Sequence, residues 1–477
     1  MKIREILKQP EGKTLEFKRD VSSLKPILKT LVAFANTAGG ILLIGRENDG
    51  TICGVPEVLQ AEESLANAIA DSIRPAMMPE IEIYSHNDKP LLALRVFHWK
   101  GPFYLKADGP VKGVYVRLGS TNRQAGPEIL AEMQRSMQNR SFDQLSCADL
   151  SIKALDIEKV QRVLAITAQQ IDEKKLESLE LLVPHAGGLS VSNGGLILFG
   201  MDDVRQRYFP DARVSCARFR GTDKSEFIDR IDIAGSVLNA IDEVPRFIRR
   251  NTRLAAKIEN MHRQDIPEYP ELAIREILVN AISHADYSLS GMRILIGIYA
   301  DRMEIQNPGM LPFGMTMEDL KAGVSKIRNR VIARVFREMG LMEEWGSGYK
   351  RVIHACQAGG YPEPDWEELG TAFRVIFHSH PAVLEYPRTD VPVNVPVNVP
   401  VNVPVNVPVN VPVNVPVSDR QKWFLEQLAA SKQIRASDLA AYWSISEKTA
   451  KRDIADLKRK GMIEFVGALK KGFYRIV

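Results

Sequence analysis

A carboxylate, an amide and an imidazole follow one another at four-residue spacing in the second half of the chain. Apolar residues recur at helical intervals across residues 271–287, so Glu276, Asn280 and His284 fall on one face of the predicted helix. A glutamate and an asparagine at this spacing are common on helices and can also be an ordinary solvent-facing pair. No serine, histidine and aspartate arrangement accompanies them, so the residues do not indicate a nucleophilic triad.

The elements that position this face are predicted from short apolar runs and turn residues. Two strands are expected at residues 292–299 and 302–306, before a turn at residues 307–309. Helical patterns follow at residues 329–339 and after the glycine-rich segment at residues 346–348.

Before residue 271 the sequence gives a weaker signal for secondary structure. Residues 157–171 and 226–244 have helical periodicity, and Pro245 is expected to end the second helix. The polar residues 138–150 predict a connection between domains.

The segment order from REILVNAISHADY through NPG to GSGYKRV resembles the divergent Bergerat-fold (GHKL-type) ATP-binding domain. The resemblance implies ATP and Mg²⁺ as cofactors. It implies that Glu276 orients the attacking water and that Asn280 holds the metal. The chain has Asn307 and Gly309 where the adenine-reading D-x-G-x-G loop is expected, and it lacks that loop's aspartate and second glycine. The implied nucleotide-binding residues are Asn280, Asn307, Gly309, Gly346 and Gly348.

A second candidate site lies near the amino terminus, where Glu11, Glu16 and Lys18 are close in sequence. Clustered carboxylate oxygens suit a Mg²⁺ or Mn²⁺ site for phosphodiester cleavage, but Glu16 and Lys18 can equally be a solvated pair beside a strand. The surrounding residues predict a helix near residues 24–34 and strands at residues 41–44, 91–97 and 114–118.

LEFKRD, FANTAGGILLIG and VYVRLGSTN resemble the Schlafen-type AlbA-like domain of bacterial regulators. The resemblance implies that Glu11, Glu16 and Lys18 match a metal-dependent nuclease site, with Asn48 at its aspartate position and Asp49 beside it. It also implies RNA or single-stranded nucleic acid as a partner. Arg117 and Arg123 are candidate phosphate contacts or surface charges.

Residues 391–417 repeat the unit VPVN without departure. Proline at every fourth position excludes a regular helix, and as polyproline II the repeat would span roughly 80 Å. A spacer is the expected role. The alternative is a valine-rich surface that binds another copy of the chain or a partner.

The sequence after the repeat carries the basic charge. Residues 420–477 hold 13 Lys and Arg against 6 acidic residues, whereas the whole chain has a net charge of only +4. Three helical patterns and a hairpin at residues 462–466 and 472–476 resemble a bacterial winged helix, which implies double-stranded DNA as the partner. The resemblance implies that the capped second helix of the helix-turn-helix enters the major groove. It implies base contacts for Ser446, Lys448, Thr449 and Arg452, and contacts with the DNA backbone for Lys451, Lys470 and Lys471.

Composition agrees with a soluble protein, since 45% of residues are hydrophobic and 26% are charged. No signal peptide or membrane span is expected, and the four cysteines are far apart, as in reduced cytoplasmic proteins.

The predicted fold class is α+β multidomain. It comprises an AlbA-like α/β N-domain at residues 1–137 and a connector with a divergent Bergerat-type α/β sandwich at residues 138–380. A Pro-rich repeat linker at residues 381–419 and a C-terminal winged helix at residues 420–477 complete it. We expect a cytoplasmic DNA-binding transcriptional regulator with an ATP-binding domain. The alternatives are a nucleic-acid-processing effector (a nuclease or an ATPase, for instance in phage defence) and an assembly scaffold that forms homo-oligomers.

Overall fold

The computed structural model describes residues 3–164, 172–259, 262–342, 346–384, 419–429, 434–443, 445–459, 462–466 and 473–476. The chain divides into two compact units, residues 1–393 and 394–477. The repeat at residues 391–417 lies outside the described residues, so its role as a spacer stays a prediction. None of the helices within the described ranges has the length and apolarity that a membrane span requires.

The first part of the larger unit contains a four-stranded sheet in the order β1-β2-β5-β4. Its helices are Ile3–Ile6 (α1), Leu24–Asn36 (α2), Val58–Ser72 (α3), Gly109–Lys112 (α4) and Pro127–Met137 (α5). Its strands are Leu15–Lys18 (β1), Gly40–Ile44 (β2), Ile73–Arg74 (β3), Glu80–His86 (β4), Lys89–Val96 (β5), Tyr104–Leu105 (β6), Tyr115–Leu118 (β7) and Thr121–Gln124 (β8).

Alternation along β2 gives this sheet a separate core on each face. Leu42 and Ile44 pack with the buried residues of α2 and α3, whereas Leu43 packs on the opposite face with Leu15 and Phe17. At the end of α2, the buried Asn36 side chain bonds to Phe103 and Tyr115 backbone groups, which ties the helix to the following strands.

The second part of the larger unit is built on a six-stranded mixed sheet in the order β12-β11-β15-β16-β18-β17. Its helices are Ile157–Leu164 (α6), Glu173–Ser178 (α7), Asn193–Phe199 (α8), Asp202–Tyr208 (α9), Ala240–Asn251 (α10), Glu271–His284 (α11), Met317–Ala322 (α12), Arg330–Glu338 (α13), Gly348–Ala358 (α14) and Pro381–Leu384 (α15). Its strands are Leu182–His185 (β9), Gly188–Val191 (β10), Val214–Phe219 (β11), Phe227–Asp232 (β12), Leu254–Glu259 (β13), His262–Pro267 (β14), Ile294–Ile298 (β15), Arg302–Pro308 (β16), Asp365–Glu368 (β17) and Ala372–His378 (β18).

The residues before α11 belong to the same core as the residues after it. Two strands from this region, β11 and β12, complete the large sheet, and one hydrophobic cluster runs from Cys147 to Phe377. The connection after α5 is also held in place, because buried Asp143 accepts hydrogen bonds from the backbone amides of Arg330, Val331 and Ile332 at the start of α13.

The helical prediction for residues 226–244 is wrong in its first part. Residues Phe227–Asp232 form the edge strand β12, whose backbone pairs with β11 and whose Phe227 ring contacts Phe219 at 4.9 Å between centroids. Pro245 does not end a helix but lies inside α10. The helix continues past it because Phe247 and Ile248 are buried, and their burial offsets the loss of one backbone hydrogen bond.

The predicted turn at residues 307–309 begins later than expected. Asn307 and Pro308 are still paired with Phe373 and Ala372, so only Gly309 lies beyond the strand.

The described residues of the smaller unit form three helices and a hairpin, in the winged-helix order that the sequence predicts. The helices are Asp419–Ala429 (α16), Ala436–Tyr442 (α17) and Glu447–Arg459 (α18), and the antiparallel strands are Ile463–Val466 (β19) and Phe473–Ile476 (β20). Phe424, Leu439, Ala450 and Leu457 are buried in its core.

Candidate functional site

Helix α11 has exposed residues near its start, such as Leu272 and Arg275, and a partly buried stripe along one face. Most of the helix is enclosed by the sheet and by neighbouring helices, but Glu276, Asn280 and His284 are only partly covered. The Asn280 amide donates a hydrogen bond of 3.3 Å to Glu276 Oε1. These side chains line a cavity inside the unit, so the pair does not lie on an ordinary solvent-facing surface.

The amino terminus of α14 meets this stripe at a glycine. A Cβ atom at Gly348 would lie 2.8 Å from Glu276 Oε1 and 3.2 Å from Asn280 Nδ2, so any larger residue would displace one of them. The first backbone amides of a helix have no partner inside the helix and attract anions. Here, such amides stand beside a carboxylate and an amide side chain.

The cavity between α11, α14 and the sheet has a volume of about 120 Å³. One part of its wall is apolar and includes Met310, Leu311, Met315, Leu320 and Val324. The polar part contains Glu276, Asn280, Asn307, Gly346, Gly348 and Arg351. An apolar wall with a few convergent polar groups is the usual composition of a small-molecule site.

One buried polar atom of a residue that lines this cavity, the indole Nε1 of Trp366, has no hydrogen-bond partner among the described residues. An unsatisfied buried donor costs about 1–3 kcal/mol. A polar ligand in the cavity would remove that cost, so the residues present fit a ligand that carries both a planar apolar group and acceptor oxygens.

The Glu276 carboxylate is ion-paired with Arg351 of α14 at 3.2 Å. The Arg351 side chain is 40% exposed, so the pair can exchange partners with an incoming anion. A cavity of this volume is smaller than sites that enclose a whole drug-sized ligand, which are roughly 300–1,000 Å³. The cavity could therefore enclose only part of a ligand as large as a nucleotide.

His284 lies at the wall of the cavity as a neutral imidazole. Burial, together with the positive charge of Arg328, lowers its pKa to about 4. His284 therefore offers hydrogen bonds to a ligand but no charge.

The structure separates the two residues that replace the adenine-reading loop. Asn307 lines the cavity and its Nδ2 donates to the Pro308 carbonyl, which leaves its Oδ1 as an acceptor. Gly309 does not line the cavity. It has φ +95°, and a Cβ atom there would overlap the Arg328 guanidinium. Gly309 thus makes room for Arg328.

The amino-terminal carboxylates do not converge on a shared open site. Glu16 is ion-paired with Lys18 and with Arg117, whose side chain is fully buried. Glu11 Oε1 accepts the Phe17 amide at 2.9 Å. Within the described ranges no three His, Cys, Asp or Glu residues are grouped so that they could hold a metal ion.

Arg117 is therefore not a phosphate contact. Its guanidinium donates to the carbonyls of Gly12 and Leu15 as well as to Glu16, and so joins β7 to β1 from inside the domain. The position of Asn48 and Asp49 adds no ligand either, because Asp49 Oδ1 accepts the Thr51 amide in an exposed turn.

In the smaller unit, the predicted base-facing residues lie at the start of α18. Ser446 caps the helix, since its Oγ accepts the Thr449 amide at 3.2 Å. Arg452 is exposed, and Lys451 is exposed and paired with Glu447 at 3.1 Å. The side chain of Lys448, and the whole of Lys470 and Lys471, lie outside the described residues.

Three family models match separate parts of the chain. The model "Schlafen, AlbA_2" matches residues 11–126, "Putative ATP-dependent DNA helicase recG C-terminal" (HATPase_c_4) matches residues 291–377, and "DeoR-like helix-turn-helix domain" matches residues 420–466. The predicted three-domain resemblance is thus confirmed. The chain is a DNA-binding regulator of the helix-turn-helix type with a Schlafen AlbA_2 domain and an ATPase-like domain.

Two solved structures align with the chain at low structural similarity. The DIP2311 protein from Corynebacterium diphtheriae has a TM-score of 0.39 and 18% identity, over 100% of this chain and 98% of that chain. The N-terminal domain of a RecG-related protein from Nitrosomonas europaea has a TM-score of 0.21 and 28% identity, over 26% of this chain and 90% of that chain. Comparison with curated proteins gives no match.

Several residues of the cavity were not predicted from the sequence, among them three polar or aromatic residues that could contact a ligand. Arg351 lies in the quoted GSGYKRV segment, so its spacing from Gly348 could have indicated it. Trp366 and Lys326 come from segments without a motif, and only the fold brings them to the same cavity.

Proposed function

We propose that this DNA-binding regulator binds ATP in the cavity between α11 and α14. The observation that carries the proposal is the convergence of residues from four separate segments on one cavity. Glu276 and Asn280 come from α11, Asn307 from β16, Gly346 and Gly348 from the start of α14, and Trp366 from β17. The buried indole Nε1 of Trp366, which lines the cavity, has no hydrogen-bond partner among the described residues.

Each part of ATP has a group of residues suited to it. The apolar wall suits the base, and Asn307 Oδ1 can accept a hydrogen bond from an exocyclic amine. The amides at Gly346 and Gly348 suit the phosphates. Asn280 would hold Mg²⁺, which would neutralise phosphate charge. Glu276 would orient a water molecule if the site hydrolyses ATP, and this requires Arg351 to leave the carboxylate.

The DNA-binding role belongs to residues 420–477. We assign base contacts to Lys448, Thr449 and Arg452, with Ser446 as the cap that fixes the helix start. Lys451, Lys470 and Lys471 are assigned to the DNA backbone. DNA as partner and four free thiols among the described residues favour a cytoplasmic protein.

We assign residues 1–137 to the AlbA-like domain, residues 138–380 to the connector and ATPase-like domain, and residues 381–419 to the linker. Metal-dependent cleavage is disfavoured as the function of the first domain, because a metal ion would have to displace buried Arg117 from Glu16. Its contact with RNA or single-stranded nucleic acid, and the assembly of the chain into homo-oligomers, stay predictions.

Tryptophan fluorescence tests nucleotide binding directly. ATP in the cavity places its base near Trp366, so ATP should change the emission of the full-length chain in a saturable way. The change should be absent in Trp366→Phe, which keeps the other four tryptophans. A change that persists unaltered in this variant would place the nucleotide elsewhere.

Anisotropy of a labelled duplex tests the DNA assignment. Arg452→Ala at the start of α18 should weaken binding about five- to fifty-fold, the range of roughly 1–2.5 kcal/mol that a lost base contact costs. The matched control is Lys422→Ala, which removes one exposed charge from α16 instead. Equal losses in the two variants would reduce the effect to net charge and contradict the assignment.

A further inference from the structure

A groove in the larger unit collects far more positive than negative side chains. It has a volume of about 880 Å³ and is bordered by α5, by the connection that follows α5, and by α13 with the segment before it. Two acidic residues, Glu132 and Asp286, line it together with eight basic ones: Lys100, Arg135, Arg140, Lys326, Arg328, Arg330, Arg334 and Arg337.

The balance of this lining is net +6, although residues 1–419 together carry a net charge of −3. Positive charge is therefore concentrated at one place on a body that is otherwise slightly acidic. Opposite charge is the main determinant of where a polyanion binds, because the field of a lined groove adds over its charges.

Ion pairs offset part of this charge. Arg334 is paired at 3.1 Å with Glu180, a residue outside the lining. Two further pairs involve the two carboxylates of the lining. Both lie near the same residue, Arg328, at 3.4 Å for Glu132 and 3.9 Å for Asp286. The Arg328 side chain is only 9% exposed, and its Nε and Nη1 atoms have no hydrogen-bond partner among the described residues. Arg328 is thus compensated by two carboxylates, and the exposed side chains of Lys100 and Arg140 are the ones that an anion in the groove can reach.

The cations also act on one another. Desolvation and the charge of Lys100 lower the pKa of Lys326, and desolvation lowers the pKa of Arg135. An anion that enters the groove would relieve this repulsion.

The three rings that line the groove already contact other protein groups. Phe142 is covered by the Arg135 guanidinium at 5.3 Å and by the edge of Phe209 at 6.0 Å. Phe313 packs against the core cluster that contains Val114, and His98 Nδ1 lies 2.9 Å from the Ala35 carbonyl. Single-stranded nucleic acid is usually held by stacking of its bases on aromatic rings, whereas duplex DNA is held through its backbone. The chain also has a helix-turn-helix domain at residues 420–466, and a duplex bound there is kept at high local concentration near the rest of the chain.

We propose that this groove is a second DNA-binding site, which holds the phosphate backbone of a duplex without reading its sequence. This goes beyond the proposed ATP site and the winged-helix contacts with DNA described above, because it gives the larger unit its own contact with DNA. Binding through the winged helix and the groove together would be tighter and more salt-dependent than binding through the winged helix alone.

The test is the salt dependence of duplex binding by the full-length chain, measured by anisotropy with a mixed-sequence duplex across a series of NaCl concentrations. The variant is Lys100→Gln with Arg140→Gln, two exposed side chains at the groove. Loss of two phosphate contacts should lower the slope of log K against log salt by about 2 and weaken binding at low salt.

The control is Lys153→Gln with Arg207→Gln, which removes the same charge from exposed positions that do not line the groove. A slope unchanged in the groove variant, or lowered equally in the control, would overturn the proposal. Selective loss of single-stranded RNA binding, with duplex binding kept, would also overturn it. Arg452→Ala in the same assay separates this outcome from failure of the winged helix, because that change leaves the groove intact.

Discussion

The chain contains two glutamate–arginine pairs that sequence motifs place at candidate catalytic sites, and they differ in exposure. In the AlbA-like domain, Glu16 is paired with Arg117, and the two side chains are 8% and 0% exposed. In the second part of the larger unit, Glu276 is paired with Arg351, and the two side chains are 16% and 40% exposed. The first pair is enclosed on every side by protein, whereas the second borders a cavity.

This difference separates structure from function. A buried ion pair cannot exchange partners without a large desolvation cost, so Glu16 acts as a tie between β1 and β7. The two side chains of an exposed ion pair beside a cavity can separate at little cost in free energy, and each can then contact a ligand. A glutamate in a family motif thus predicts a site only where its partner can leave.

Breaking the buried pair should have the largest effect. Arg117→Met leaves the buried Glu16 with Lys18 as its remaining ion-pair partner, and it removes the hydrogen bonds to Gly12 and Leu15. We expect the free energy of unfolding of the larger unit to fall by about 3–5 kcal/mol. Urea denaturation followed by tryptophan emission measures this loss. Arg351→Met is the control, with an expected loss below about 1 kcal/mol. Similar losses in the two variants would contradict the claim that the buried pair stabilises the fold more than the exposed pair does.

Filling the space beside the exposed pair should be the next largest effect. Gly348→Ala places a methyl group against Glu276 and Asn280, and it pushes the start of α14 away from them. ATP affinity should fall about ten-fold or more, since about 1.4 kcal/mol of lost contact suffices. Displacement of a fluorescent ATP analogue reports this affinity. Gly221→Ala, where an added Cβ meets no atom within 4 Å, should bind as the wild type does.

Opening the exposed pair should have a smaller and opposite effect. Glu276→Gln removes a negative charge from the place where phosphates are expected, and it releases Arg351 to contact them. ATP should bind about two- to five-fold tighter, from roughly 0.5–1 kcal/mol of charge-assisted contact. The same displacement assay measures it, with Glu16→Gln as the matched change in the other domain. Weaker binding in Glu276→Gln would mean that the carboxylate itself holds the ligand.

The smallest effect is expected at Lys18, the second partner of Glu16. Its side chain is 31% exposed and Arg117 remains in place without it. Lys18→Gln should therefore change the free energy of unfolding by less than about 1 kcal/mol, again by urea denaturation. A loss as large as that of Arg117→Met would mean that Lys18, rather than Arg117, is the partner of Glu16 that stabilises the domain.

Local patterns were sufficient where periodicity and chemistry agreed. The spacing at Glu276 and Asn280 places both on one helix face, and Ser446 caps α18 as its sequence indicates. Patterns failed where partners from distant segments decide the outcome. Phe227–Asp232 is a strand because β11 pairs with it, and Arg117 is buried because β1 supplies its acceptors. Gly309 matches a motif position, yet it serves to accommodate Arg328. Such long-range contacts leave no local trace in the sequence.

Isothermal titration of ATP with Mg²⁺ into the full-length protein tests the central claim most directly. The account predicts saturable heat with one nucleotide per chain, because one cavity collects Glu276, Asn280, Asn307 and Gly348. Gly348→Ala should lose most of this heat and Gly221→Ala should keep it. No saturable heat with the wild-type chain would contradict the account, as would equal titrations of the two glycine variants.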